Sequence, residues 1–180
     1  MREIKSAPEI LAKLKSMGSA KNREGMARYG IRPKKALGIL VYDLKRMAKG
    51  IKRDHRLALA LWKSGIHEAR MLAAFLEEPE KVTERQMESW AKDFDSWDIC
   101  DHTCAYLFDR TPFAYSKAME WSKREEEFVK RAGFALMCAL SVHDKDAADS
   151  KFRKFLPVIK RHSTDERNFV KKAVNWALRQ

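Results

Sequence analysis

The chain has 180 residues, 45% apolar and 34% charged, a balance that suits one soluble domain with an ordinary core and excludes a disordered polymer. No apolar run approaches the roughly 20 residues of a membrane span, and residues 1–5 lack the apolar core of a signal peptide, so a cytoplasmic protein with no membrane partner is expected. Lys and Arg number 37 against 25 Asp and Glu, leaving +12 and a pI near 9.7, which favours a polyanion such as nucleic acid as partner.

Glycine and proline cut the sequence into helix-sized pieces, and no segment alternates as a strand does. The first helix is expected from Ser6, with Pro8 in its opening turn, to Gly18, and a short second one from Lys21 to Tyr29, closed by Gly30. From Pro33 to Ala48 the residues Leu37, Leu40, Val41, Leu44 and Met47 fall on one stripe, with Gly50 as the stop. Asp54–Ser64 and Ile66–Leu76 form a helical hairpin. Thr83–Phe94 follows, with Thr83 and Gln86 placed as a capping box. A helix capped by Ser96 then runs to about Phe108. Further helices are expected over 115–121, 125–142, 149–161 and from Asp165 to the end.

Three segments resemble one another: Ile66-His-Glu-Ala-Arg-Met-Leu-Ala, Phe128-Val-Lys-Arg-Ala-Gly-Phe-Ala-Leu and Phe169-Val-Lys-Lys-Ala-Val-Asn-Trp-Ala-Leu. The last two are offset by about 40 residues, the period of HEAT-type repeats. The fold class expected is therefore all-α, a superhelical solenoid of HEAT-like antiparallel helix pairs forming a single domain over 1–180. No glycine, proline or polar capping helix follows Arg179-Gln180, so the chain is expected either to be truncated or to expose part of the inner face of its last helix.

Few residues stand out as chemical. In the Ser96 helix, Trp97 and Asp101 lie one turn apart and share a face, whereas Asp98 sits in the first turn, where the helix dipole explains a carboxylate. Asp101 lies past that turn, so it is either a solvated surface residue or a partner of Trp97. Trp176 lies off the stripe Val170, Ala173, Val174, Ala177 and one turn after Lys172, a placement suited to a nucleobase or to a seam between repeats. Arg131 precedes the apolar run 132–142 and needs an anion, either Asp101 or a bound phosphate. The Glu125-Glu126-Glu127 run favours a helix start. Cys100, Cys104 and Cys138 read as reduced, partly buried thiols. The histidines show no metal-ligand spacing, and no phosphate loop or nucleophile elbow occurs, so no metal and no cofactor are expected.

The set Ser96-Trp97-Asp98-Ile99-Cys100-Asp101, Phe128-Val-Lys-Arg131-Ala and Lys172-Ala-Val-Asn-Trp176-Ala-Leu-Arg resembles the AlkD-like DNA alkylation repair family, HEAT-like repeat DNA glycosylases that remove cationic alkylated purines. Leu59-Ala-Leu-Trp62 through Gly65-Ile-His-Glu-Ala-Arg70 also looks like that family's early repeats. The resemblance implies Asp101 as the catalytic carboxylate, Trp97 and Trp176 as aromatic walls of the lesion site, and Arg131 as a holder of DNA backbone beside it. Lys130, Lys171 and Lys172, with Arg131, would supply phosphate contacts to double-stranded DNA containing alkylated purines, bound by a monomer acting at the nucleoid. Family members continue through further helices after the tryptophan repeat. Two other readings share the fold: a non-catalytic HEAT-like module that binds DNA structure or damage, and a protein-binding solenoid.

Overall fold

A computed structural model describes residues 6–180; the signal-peptide expectation concerned residues 1–5, which lie outside the described residues. Among the described residues there is no strand, and no helix is long and apolar enough to cross a membrane. The chain divides into two compact units, which meet in sequence at Lys81 and Val82.

The first unit carries α1 (Ala7–Met17), α2 (Ala20–Arg28), α3 (Val41–Lys49), α4 (His55–Lys63) and α5 (His67–Leu76), ending in a 3-10 turn at Pro79–Lys81. Helix α1 starts at a capping box between Ser6 and Glu9, with Pro8 in the first turn where its missing N–H costs nothing. Asp54 caps α4 by accepting the Leu57 amide at 2.8 Å. Helices α4 and α5 pair as the expected hairpin, and α5 is buried along nearly its whole length.

One boundary departs from the sequence reading. The helix expected from Pro33 begins only at Val41. The amides of Leu37, Gly38 and Ile39 turn instead to the buried carboxylate of Glu68, with the Gly38 bond at 2.6 Å. Gly38 sits at φ +82, and a Cβ there would run into the Ser19 carbonyl. A charged acceptor gathering several amides outcompetes another helical turn, and Leu40, expected on the buried stripe, is left exposed.

The second unit carries α6 (Glu84–Lys92), α7 (Trp97–Tyr106), a 3-10 turn at Phe108–Arg110, α8 (Ala114–Trp121), α9 (Glu127–His143), α10 (Asp149–Arg153), α11 (Leu156–Arg161) and α12 (Asn168–Arg179). Thr83 caps α6 through the Gln86 amide at 3.1 Å. The single helix expected over 149–161 is broken at Lys154 and Phe155. Pro157 lies in the first turn of α11, and its ring could not continue a helix from α10.

Helix α9 is the axis of this unit, packing against α7, α8 and α12. Its residues Val129 to Leu140 are all buried. Gly133 makes the α8 contact possible, since a Cβ there would run into the backbone of Trp121 and Ser122. Glu88 of α6 accepts the Trp121 indole N–H at 2.6 Å and the Lys117 ammonium at 2.8 Å, so the buried lysine of α8 is neutralised within the unit.

Candidate functional site

Three neighbouring helices build the site. Helix α7 starts at Ser96, whose hydroxyl does not cap the helix as expected but donates to Asp98 Oδ1 at 2.6 Å. Asp98 is itself buried. Ser96 and Asp98 thus fix the entry of α7, and one turn on from Trp97 the Asp101 side chain emerges toward α9.

Arg131, in the second turn of α9, meets Asp101 in a forked pair: Nε donates to Oδ1 at 2.8 Å and Nη2 to Oδ2 at 2.7 Å. Its third nitrogen, Nη1, donates to the Phe169 carbonyl in the first turn of α12 at 2.6 Å. The guanidinium carbon also stands 5.9 Å from the Trp97 ring centroid. Of the anions open to Arg131, the fold supplies Asp101. The side chain of Asp101 keeps 15% of its surface exposed against 7% for Arg131. Burial pushes the Asp101 carboxyl above its ordinary range, against the opposing pull of the Arg131 hydrogen bonds and charge.

The same helices are pinned close by. Cys100 Sγ donates to the Phe128 carbonyl at 3.4 Å, and the Phe128 and Phe169 rings lie 5.5 Å apart. These phenylalanines are equivalent positions of the two repeat-like segments, so the likeness in sequence becomes a contact between neighbouring helices. All three cysteines are free and buried. Among the described residues, no three His, Cys, Asp or Glu side chains converge as metal ligands.

Trp176 is half-buried on α12, two turns beyond Phe169 and hence on the same helical face. The structure therefore brings Asp101 and Trp97 each against Arg131 and puts Trp176 on the helix that the third Arg131 nitrogen grips. The lysines divide. Lys171 and Lys172 are exposed on α12, whereas Lys130, expected at a phosphate, is buried and paired with Asp165 at 2.9 Å. Arg131, expected on DNA backbone, likewise has protein partners. The cause is position: α9 is flanked by α7 and α12, so the polar residues of its first turns must be neutralised inside the fold.

Sequence reasoning missed Asp165 and the Phe169 carbonyl. Asp165 also takes the Arg167 guanidinium, through Oδ1 at 3.0 Å and Oδ2 at 2.6 Å, and these bonds hold its carboxyl well below the ordinary range. The buried run after Lys130 was the available signal, because a lysine at its edge needs a carboxylate just as Arg131 does.

An all-helical repeat fold with an aspartate, an arginine and tryptophans gathered on adjacent helices defines the class. The chain belongs to the family described as DNA alkylation repair enzyme, whose model matches residues 10–180. A solved structure described as "A new family of proteins related to the HEAT-like repeat DNA glycosylases with affinity for branched DNA structures" superposes with a TM-score of 0.85 at 20% identity, covering 97% of this chain and 74% of that one. That likeness establishes the HEAT-like fold. No curated protein matches the chain.

Proposed function

We propose that the protein is a DNA glycosylase that excises cationic N3- or N7-alkylated purines from duplex DNA. The observation that carries this reading is the Asp101 carboxylate, oriented by the Arg131 fork, with the Trp97 ring against the same guanidinium. An alkylated purine of this type is already a cation and leaves as a neutral base. No general acid is required, unlike the leaving group of a glycoside, which usually needs a second carboxylate.

One anion then suffices. Asp101 stabilises the oxocarbenium-like sugar and orients or deprotonates the attacking water. Arg131 acts as a positioning residue: it keeps both carboxylate oxygens in a fixed plane and favours the ionised form against the burial that raises the carboxyl. Trp97 and Trp176 hold the cationic nucleotide by cation–π contacts of about 0.5–2 kcal/mol each. Lys171 and Lys172 supply phosphate contacts from α12. The reading includes a monomer, with no metal and no cofactor, acting at the nucleoid in the cytoplasm.

A second reading has an observation of its own. The forked pair already neutralises Asp101, as expected of a purely structural ion pair in a module that binds DNA without cutting it. The solved relative is described by its affinity for branched DNA. Base release from defined N3-methyladenine and N7-methylguanine duplexes, with Asp101→Asn in parallel, separates the two. Excision by the parent that collapses in the variant supports the enzyme; DNA binding without base release by the parent supports the module.

A further inference from the structure

The charge surplus is unevenly distributed. Residues 1–81 hold 19 Lys and Arg against 9 Asp and Glu, and residues 82–180 hold 18 against 16, so the halves carry +10 and +2. Within the first half, residues 21–56 alone hold 12 against 3. The unit that lacks the Asp101 site therefore carries nearly all of the attraction for a polyanion, and the proposed chemistry makes no use of it.

Helix α3 concentrates that charge on one stripe. Leu44 is fully buried, and α3 packs on α5. The opposite face carries Tyr42, Lys45, Arg46 and Lys49, spaced three and four residues apart so that they align along the axis. Tyr42 is 71% exposed. The Arg46 guanidinium carbon lies 5.8 Å from the Tyr42 ring centroid, held there by a 2.9 Å bond from Nη2 to Asp43. Leu40, at the start of the helix, adds a second exposed apolar surface. Packing does not account for an aromatic ring set in a row of cations and turned to solvent. It is the arrangement on which an unpaired base stacks while its phosphates meet the cations.

Resting on the reading of this chain as a DNA-binding protein, we infer that the Tyr42/Arg46/Lys49 face of α3, in the unit that does not carry Asp101, is a second DNA site that takes an unpaired strand. A duplex offers this face only phosphates, because its bases are stacked inside. A single strand, a gap or a branch point offers a base for the Tyr42 ring as well.

The test uses the full chain and fluorescence anisotropy with a short labelled single strand and the matching unmodified duplex. Tyr42→Ala is expected to weaken single-strand binding about tenfold and duplex binding by less than about twofold, with Tyr42→Phe restoring the parent value. Lys49→Ala is expected to lower the salt slope on the single strand by about 0.7. Because Tyr42 lies on the surface, a thermal melt of each variant should match the parent. Unchanged single-strand affinity in Tyr42→Ala, or equal loss on both DNAs, overturns the inference. A parent that binds duplex but no single strand also overturns it while leaving the glycosylase reading intact, whereas a parent that binds neither removes the DNA-binding reading on which both rest.

Discussion

Arg131 holds Asp101 by both carboxylate oxygens, and the pair bridges α7 and α9. The geometry makes the two residues unequal under mutation. Asp101→Asn keeps the size of the side chain and one acceptor for the fork, at a cost of about 3 kcal/mol for leaving Arg131 buried with a weaker partner; in the folded variant DNA affinity should survive while excision falls by at least about a hundredfold. Single-turnover release of 7-methylguanine measures this, and an Asn variant that matches the parent rate ends the catalytic assignment.

Removing the other partner should act on the fold. Arg131→Ala leaves a buried carboxylate without its cation and the Phe169 carbonyl without its donor, a loss of about 3–5 kcal/mol in urea unfolding. Arg131→Lys restores charge but not the fork, so it should recover part of the stability and less of the excision. Equal excision by the lysine variant and the parent would remove the positioning role.

The acid limb of the excision profile should reflect the same burial. The proposed chemistry requires the ionised carboxylate, and burial raises the Asp101 pKa in the folded protein. Activity should therefore fall with decreasing pH at a midpoint above the ordinary aspartate value of about 3.9. A midpoint at or below that value would show that the Arg131 fork outweighs burial.

Asp165 has the opposite sign. Its carboxyl is held low by Arg167 and Lys130, so the stability it contributes is fully present above the unfolded aspartate pKa and is lost as pH falls through the folded one. Asp165→Asn should cost about 3 kcal/mol at neutral pH, because Lys130 stays buried with a weaker partner. That difference should shrink below about pH 4. A pH-independent gap in chemical denaturation would rule out the electrostatic origin.

The lysines on α12 and α9 should separate in a salt titration. Replacing both Lys171 and Lys172 by Ala should lower the duplex salt slope by about 1.8, or 0.9 for each lost phosphate contact. Lys130→Met should leave the slope unchanged, since its ammonium already faces Asp165. A slope change in Lys130→Met would restore it as a DNA contact.

Most of the helices were legible because periodicity and stop residues agree, as at Gly18, Gly65 and the Asp54 cap. Two misreadings share a cause: the competing partner is remote in sequence. Nothing near Pro33 announces that Glu68 will draw the next amides out of a helix. The buried run after Lys130 calls for a carboxylate but does not say that it is Asp165. For Arg131 the sequence narrowed the anion only to Asp101 or a bound phosphate, since a buried guanidinium must have one, and the fold supplies Asp101. The break before α11 is marked by Pro157, whose ring cannot follow α10 in one helix.

The bond from Arg131 to the Phe169 carbonyl gives the last helix an unexpected standing. If α12 swings away, Arg131 loses one of its anchors, and the plane of the Asp101 carboxylate is no longer fixed from that side. Whatever docks on or displaces α12 would therefore adjust the setting of the Asp101 carboxylate, so this helix doubles as its tuning screw.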